Sequence, residues 1–177
     1  MNRAVFLDRD GVINRPIIRD GKPYPPADLT ELDILPGVVD SLIRLKNAGY
    51  LLLVVSNQPD VARGITPRRE VEAINEYLGK HLLIDRFIMC YHDTADGCDC
   101  RKPKPGMLLT GAEKFCVDLD ESFMIGDRWR DISAGKSAGC RTFFIDYGYT
   151  EKQPESVDFR VNSLKQAVDI ILGVDNE

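Results

Sequence analysis

Short runs that are apolar throughout alternate along the chain with segments in which apolar residues recur every three or four positions. The runs are typical of buried parallel strands, and the three-to-four spacing is typical of amphipathic helices. The predicted strands span residues 4–7, 50–56, 87–90, 122–125 and 142–145. The predicted helices span residues 37–49, 66–81 (with Thr66 as cap and Pro67 in the first turn), 105–115, 131–138 and 163–172. This order predicts an α/β fold, a three-layer Rossmann-like parallel sheet with helices on both faces.

Composition narrows the class of protein. The chain has 177 residues, of which 44% are hydrophobic and 29% charged, so residues 1–177 are expected to form a single domain. No apolar stretch approaches the roughly 18 residues of a membrane span, and the N-terminus becomes charged too early for a secretory signal. The net charge of −5 argues against a nucleic-acid surface. A cytoplasmic monomer without nucleic-acid or membrane partners is the resulting expectation.

Polar side chains follow three of the predicted strands. Asp8 and Asp10 come directly after the first strand, Ser56 ends the second, and Asp127 follows the fourth. The carboxyl ends of parallel strands meet at one edge, where ligands bind in sheets of this kind. Carboxylates this close repel one another unless a cation joins them, and Mg²⁺ prefers such oxygen ligands. The pattern indicates a magnesium site, although a solvated turn has a similar composition.

Two further segments carry groups suited to phosphate. The Ser56 hydroxyl and the backbone N–H groups of Asn57 and Gln58 could bind phosphate oxygens. Lys102 lies between prolines in a constrained basic turn, where its ammonium could neutralise phosphate and carboxylate charge. A hydroxyl-capped turn and a solvated basic loop are the structural alternatives for these two segments.

Three thiols and one imidazole lie close together in the sequence: Cys90, His92, Cys98 and Cys100. They make a complete tetrahedral ligand set for Zn²⁺, with no position left for a catalytic water. The spacing differs from the usual C-x2-C form, so a loop of free thiols is the alternative. A structural zinc-binding loop is predicted, while Cys116 and Cys140 are expected to be buried or half-buried thiols.

Four segments together resemble the motifs of the haloacid dehalogenase (HAD) superfamily of phosphohydrolases: residues 8–11, 56–58, 102–103 and 126–131. The resemblance implies that Asp8 attacks phosphorus and that Asp10 acts as general acid and base. It implies that Ser56 and Lys102 hold the phosphoryl oxygens. Asp8, Asp127 and the backbone carbonyl of Asp10 would then hold Mg²⁺. Asp131 would support this cluster or bind the metal directly.

The zinc loop resembles a lid-less branch of that superfamily, which includes phosphatases for heptose bisphosphate and for histidinol phosphate. The short loop 90–100 resembles the histidinol form, whereas residues 61–64 and 101–108 resemble the heptose form. Removal of the 7-phosphate from D-glycero-D-manno-heptose 1,7-bisphosphate is therefore the favoured expectation, with histidinol phosphate as the alternative.

Arginines near the predicted crevice are candidates for holding a second phosphate. They are Arg63, Arg101 and Arg128, and each has a surface ion pair as its alternative role. Residues 15–33, rich in proline and charge, are expected to form an ordered loop, of which residues 15–26, with Lys22 and Tyr24, supply another wall of the crevice. The intervals Asp10–Ser56 and Ser56–Lys102 are too short to hold a lid domain.

Overall fold

The computed structural model describes residues 1–174, which form eight strands and five α-helices. The strands are β1 Arg3–Leu7, β2 Ile17–Arg19, β3 Lys22–Tyr24, β4 Tyr50–Asn57, β5 Arg86–Cys90, β6 Phe123–Gly126, β7 Arg141–Ile145 and β8 Phe159–Val161. The helices are α1 Val38–Asn47, α2 Arg68–His81, α3 Gly106–Phe115, α4 Trp129–Ala138 and α5 Leu164–Ile171. Strand and helix alternate, as predicted, apart from the β2–β3 hairpin and the β7–β8 connection.

Six strands form one parallel sheet in the order β5-β4-β1-β6-β7-β8. Strand β1 lies in the middle, with Leu7 paired to Val54 of β4 and to Ile125 of β6. The carboxyl ends of these three strands therefore meet at one edge. This register places Asp8 beside the residues that follow β4 and β6.

Side chains of β1 alternate between two apolar clusters because successive residues of a strand face opposite sides of the sheet. Val5 and Leu7 pack in one cluster with α1, α2 and α5. Ala4 and Phe6 pack in the other with α3 and α4. The α/β fold with helices on both faces is confirmed, and burial of both faces explains why the strands are apolar throughout.

Several predicted elements need correction. The sixth strand of the sheet, β8, was not predicted, because it is only three residues long and contains Arg160. Residues 15–33 are not a plain loop: they contain the antiparallel β2–β3 hairpin and a 3₁₀ turn at Leu29–Glu31. Thr66 does not cap α2, whose N-cap is Pro67 without a side-chain hydrogen bond.

The two cysteines outside the predicted zinc set differ in exposure. Cys140 is buried as expected, but Cys116 is exposed, because it lies at the C-cap of α3 in the left-handed conformation. Within residues 1–174, no helix combines the length and the apolar character needed to cross a membrane.

Candidate active site

Lys102 lies at the centre of a buried group of charges at the carboxyl edge of the sheet. Its Nζ donates to Asp8 Oδ1 at 2.9 Å and to the Val55 carbonyl at 2.8 Å, and lies 2.6 Å from Asp131 Oδ1. The backbone N–H of Arg9 also donates to Asp8 Oδ1, at 2.9 Å. The end of β1, the end of β4 and the first turn of α4 therefore converge on one ammonium group. Asp8, Lys102 and Asp131, widely separated in sequence, are brought together as the motifs predicted.

The carboxylates of this cluster are difficult to ionise together. Burial, with the nearby charge of Asp131, raises the pKa of Asp8 to about 7, although Lys102 opposes that shift. Burial and the charges of Asp8 and Asp131 also raise the pKa of Asp127 well above its ordinary value. Burial disfavours the Lys102 ammonium, but Asp131 and Asp8 outweigh burial and raise its pKa. One lysine does not compensate three buried carboxylates, so a further cation would stabilise the cluster.

The donor set fits a hard metal ion. Asp8, Asp127 and Asp131 each offer an oxygen, and these oxygens lie within 4.8 Å of one another. Tyr149 donates to Asp127 Oδ2 at 2.8 Å, whereas Asp127 Oδ1 is buried and accepts no hydrogen bond from the described residues. Three carboxylates with one orphaned oxygen suit Mg²⁺, which prefers oxygen ligands. The contribution of Asp10 through its backbone carbonyl stays a prediction.

Gly126 provides the space in which Asp131 folds back towards Lys102. A Cβ atom added at Gly126 would overlap the Cβ and carboxylate of Asp131. We therefore expect Gly126→Ala to displace Asp131 and lower kcat for the phosphatase reaction that the motifs predict by about 10- to 100-fold, as misplacement of an active-site group does. Gly79→Ala is the matched control: its Cβ would meet only Phe87 at 3.5 Å, and alanine favours the helix. Equal activity of both variants would contradict this role of Gly126.

A buried guanidinium holds the second aspartate of the first motif. Arg9 is 0% exposed and donates through Nε to Asp10 Oδ1 at 3.1 Å and through NH1 to Asn75 Oδ1 at 3.0 Å. Asn14 and Gln58 donate to the Asp10 carboxylate at 2.9 and 2.7 Å. Arg9, Asn14 and Asn75 were not predicted as site residues; only the position of Arg9 between two aspartates offered a signal.

Gln58 has a different environment from the one expected. Its backbone N–H donates to the Cys90 carbonyl at 2.8 Å, so this group does not face a phosphate. Its side-chain Nε2 donates to the Ser56 hydroxyl at 3.0 Å as well as to Asp10. Gln58 thus orients Ser56 and Asp10. Asp10 lines the crevice as predicted, whereas Ser56 is only 1% exposed and does not line it.

Asn57 fastens the loop that contains Lys102 to the end of β4. Its Nδ2 donates to the Lys102 carbonyl at 2.9 Å, and its Oδ1 accepts from the Lys102 backbone N–H at 3.0 Å. Both amide groups are used in this pair of hydrogen bonds. Asn57 lines the crevice, but its side chain positions Lys102 instead of being free for a ligand.

The four predicted zinc ligands come together in one cluster, with Cys90 at the end of β5 and the other three on the loop that follows it. The Sγ atom of Cys100 lies 3.2 Å from that of Cys90 and 3.4 Å from that of Cys98. The Nδ1 atom of His92 lies 3.3 Å from Cys100 Sγ. Ligands about 2.0–2.3 Å from a tetrahedral zinc have similar mutual separations, so the set fits this metal. The free-thiol alternative gives no reason for such close approach of four side chains.

A cavity of about 250 Å³ opens over the buried carboxylates and Lys102. Asp8, Asp10, Lys102 and Asp131 form its floor, and the β2–β3 hairpin contributes a wall through residues 22–25. The hairpin lies within residues 15–33, which were predicted to form an ordered loop. It forms one wall of the cavity opening.

All three predicted arginines line this cavity, but two have carboxylate partners. Arg63 makes a bidentate pair with Asp93, at 2.7 and 2.8 Å, and Arg128 pairs with Glu151. Among residues 1–174, Arg101 donates only to the His92 carbonyl, at 3.3 Å. Arg63 and Arg128 therefore form the ion pairs that were their alternative role, and both still line the cavity.

Known proteins resemble this chain over almost its whole length. The HAD-hydrolase-like family model matches residues 99–167. D-glycero-β-D-manno-heptose-1,7-bisphosphate 7-phosphatase of Pasteurella multocida is 32% identical, over 98% of this chain and 99% of that protein. The enzyme of the same name from Helicobacter pylori is 34% identical over 96% of this chain and 97% of its own. The chain belongs to this family of HAD phosphatases.

A solved structure supports membership of the 7-phosphatase family. The D,D-heptose 1,7-bisphosphate phosphatase of Bordetella bronchiseptica, crystallised with magnesium and phosphate, superposes with a TM-score of 0.83 and 29% identity. The match covers 98% of this chain and 99% of that one. A family member of this fold thus binds both the ion and the anion that the buried carboxylates, Lys102 and the arginines of this chain are suited to hold.

Proposed function

We propose that this protein is a Mg²⁺-dependent phosphatase that removes the 7-phosphate from D-glycero-β-D-manno-heptose 1,7-bisphosphate. The observation that carries the reaction type is the buried Asp8 carboxylate, fixed by Lys102 at the floor of an open cavity. The substrate and the β-anomer follow from the names of the curated relatives, which are similar over nearly the full chain.

The first chemical step is displacement at phosphorus. Asp8 attacks the 7-phosphoryl group, the bond from phosphorus to the sugar oxygen breaks, and Asp10 gives its proton to that oxygen. Lys102 and the Ser56 hydroxyl hold the phosphoryl oxygens, and Lys102 keeps the Asp8 carboxylate oriented. The products of this step are the sugar 1-phosphate and an aspartyl-phosphate.

The second step releases inorganic phosphate. Asp10, now ionised, takes a proton from water, whose oxygen attacks phosphorus and returns Asp8 as a carboxylate. Arg9, Asn14 and Gln58 keep the Asp10 carboxylate in one position for both transfers. Asp10 gives one proton to the sugar oxygen and takes another from water, so it ends the cycle protonated, as it began.

We propose that the protein holds two metal ions, one at the carboxylates and one at the cysteine cluster. Mg²⁺, held by Asp8, Asp127 and the backbone of Asp10 with Asp131 in support, would neutralise charge on the carboxylates and the phosphoryl group. Zn²⁺, held by Cys90, His92, Cys98 and Cys100, would fix the loop that leads into Arg101 and Lys102. We further propose that residues 1–177 act as one lid-less domain, a cytoplasmic monomer.

Phosphate release from purified protein with Mg²⁺ tests the substrate. We expect kcat/KM for heptose 1,7-bisphosphate to exceed that for fructose 1,6-bisphosphate and for histidinol phosphate. Phosphorus NMR should show that the 1-phosphate remains on the sugar product. A higher kcat/KM for histidinol phosphate would reject the proposed substrate and favour the alternative that the short zinc loop suggests.

A further inference from the structure

The two oxygens of the Asp127 carboxylate have different surroundings. Oδ2 accepts a hydrogen bond from the Tyr149 hydroxyl at 2.8 Å, whereas Oδ1 is buried and accepts none from residues 1–174. An ionised carboxylate can only accept hydrogen bonds, so the phenol is the donor in this pair. Oδ1 is therefore the oxygen of Asp127 that is left for a cation.

Gly11 encloses the oxygen that Tyr149 contacts. A Cβ atom added at Gly11 would overlap Asp127 Oδ2 and would lie 3.0 Å from Oδ1. The φ angle of Gly11 is +94°, in the region that favours glycine, so its conformation and this close approach both depend on the missing side chain. Asp127 Oδ2 is thus held between the backbone of Gly11 and the Tyr149 hydroxyl, which restricts rotation of the carboxylate.

Tyr149 is itself held in place by the segment that follows β7. The ring of Tyr147 lies beside that of Tyr149, with 5.6 Å between the centroids, and the Tyr147 hydroxyl donates to the Gly11 carbonyl at 2.9 Å. On the other side of Tyr149, Glu151 pairs with Arg128. The two tyrosines therefore contact both Gly11 and Asp127, and the segment that contains them is attached at each end.

Mg²⁺ and Ca²⁺ use carboxylates in different ways. Mg²⁺ requires near-octahedral coordination with oxygens at about 2.0–2.1 Å, whereas Ca²⁺ takes roughly six to eight oxygens at longer distances and accepts both oxygens of one carboxylate. A carboxylate whose second oxygen is enclosed and hydrogen-bonded offers a single oxygen to an ion. Asp127, held in this way, suits Mg²⁺ and withholds a ligand that Ca²⁺ would use.

We propose that Tyr149 makes the protein selective for Mg²⁺ over Ca²⁺ by keeping Asp127 Oδ2 out of metal binding. This inference rests on the proposed function, which assigns Mg²⁺ to Asp8 and Asp127 with Asp131 in support. Tyr149 does not line the active-site cavity, so it is a positioning residue that acts through Asp127. Loss of its hydroxyl frees Oδ2 and allows Asp127 to bind an ion through both oxygens.

Calorimetric titration of the whole chain with Mg²⁺ or with Ca²⁺, in the absence of substrate, tests the selectivity directly. Tyr149→Phe keeps the ring and removes only the hydroxyl. We expect Kd for Mg²⁺ to rise by about 10-fold, as loss of a hydrogen-bond partner of a metal ligand does. Kd for Ca²⁺ should change by about twofold or less, because binding through both oxygens of Asp127 compensates for the lost orientation. The preference for Mg²⁺ then falls by roughly the same factor as Mg²⁺ affinity.

Two other tyrosines provide comparisons. Tyr77→Phe is the matched control, because Tyr77 is 41% exposed on α2 and lies outside the cavity, so both dissociation constants should stay unchanged. Tyr147→Phe keeps the Tyr149 hydroxyl but releases the Gly11 carbonyl. It should lower the preference for Mg²⁺ by about two- to threefold, as loss of one hydrogen bond in the support does. Thermal unfolding without added metal shows whether each variant is folded.

Inhibition by Ca²⁺ gives a second readout. In a phosphate-release assay at fixed Mg²⁺, the Ca²⁺ concentration that halves the rate should be about 10-fold lower for Tyr149→Phe than for wild type, because the two ions compete for the same carboxylates. A purely structural role of Tyr149 would lower turnover without changing this sensitivity to Ca²⁺.

Binding of the ions alone separates this inference from the proposed function. Wild-type protein that binds Mg²⁺ no more tightly than Ca²⁺ would overturn the inference, and so would a folded Tyr149→Phe variant that binds both ions equally weakened or both unchanged. If Tyr149→Phe does not fold, an unchanged preference in Tyr147→Phe overturns it. A selective loss of Mg²⁺ affinity supports it, even if wild type releases no phosphate from heptose bisphosphate, which would reject the proposed function alone.

Discussion

Asp8→Asn is expected to abolish phosphate release, with a fall in kcat on the order of 10⁴-fold or more. An asparagine amide is a very poor nucleophile towards phosphorus and cannot form the aspartyl-phosphate. The substitution also removes the charge that lies 2.9 Å from Lys102 Nζ, although Asp131 still pairs with that ammonium. Because the amide is nearly the same size as the carboxylate, we expect the fold to be kept.

A phosphate-release assay, with thermal unfolding alongside it, measures both consequences. Asp40→Asn is the matched control, since the Asp40 side chain is 70% exposed on α1 and lies outside the cavity. The control should retain wild-type turnover. Substantial turnover by folded Asp8→Asn protein would exclude covalent catalysis by Asp8 and would require another nucleophile at the cavity.

The elements and residues that could be predicted are those that a short stretch of sequence identifies without knowledge of tertiary contacts. Strand β4 is continuously apolar because both faces of the sheet are covered. Asp8 and Asp127 could be placed at one edge because each follows such a strand. By contrast, β8 has three residues around Arg160, and its place depends on the pairing with β7.

The contacts that position the catalytic groups could not be predicted because they connect distant parts of the chain. Arg9 has charged neighbours in sequence and would be expected at the surface, yet it is fully buried between Asp10 and Asn75, which lies 66 residues further along. Gln58 reaches Asp10 across 48 residues. Only tertiary packing distinguishes these residues from ordinary surface charges.

Removal of the predicted zinc site is the second change with a large expected effect. Cys98→Ser should reduce bound zinc from about one per chain to nearly none, because a serine hydroxyl is a poor replacement for a thiolate ligand. We expect the melting temperature to fall by roughly 10 °C, since each kcal/mol corresponds to about 2–4 °C in a protein of this size. Elemental analysis and calorimetry of the same preparations measure both quantities.

Phosphatase activity should fall together with the bound zinc, because the loop that contains the cluster runs directly into the active-site residues. Cys100 directly precedes Arg101 and Lys102, so loosening the cluster frees the chain before the lysine, while Asn57 still holds the backbone N–H and the carbonyl of Lys102. Cys116→Ser is the matched control: that thiol is exposed and lies outside the cluster, so zinc content, melting temperature and activity should stay unchanged.

Wild-type protein that is folded and active without zinc would reject the metal, and the four side chains would then be a thiol–imidazole cluster. If Cys98→Ser loses zinc and stability but keeps full activity, the metal stabilises the loop and Asn57 alone suffices to position Lys102.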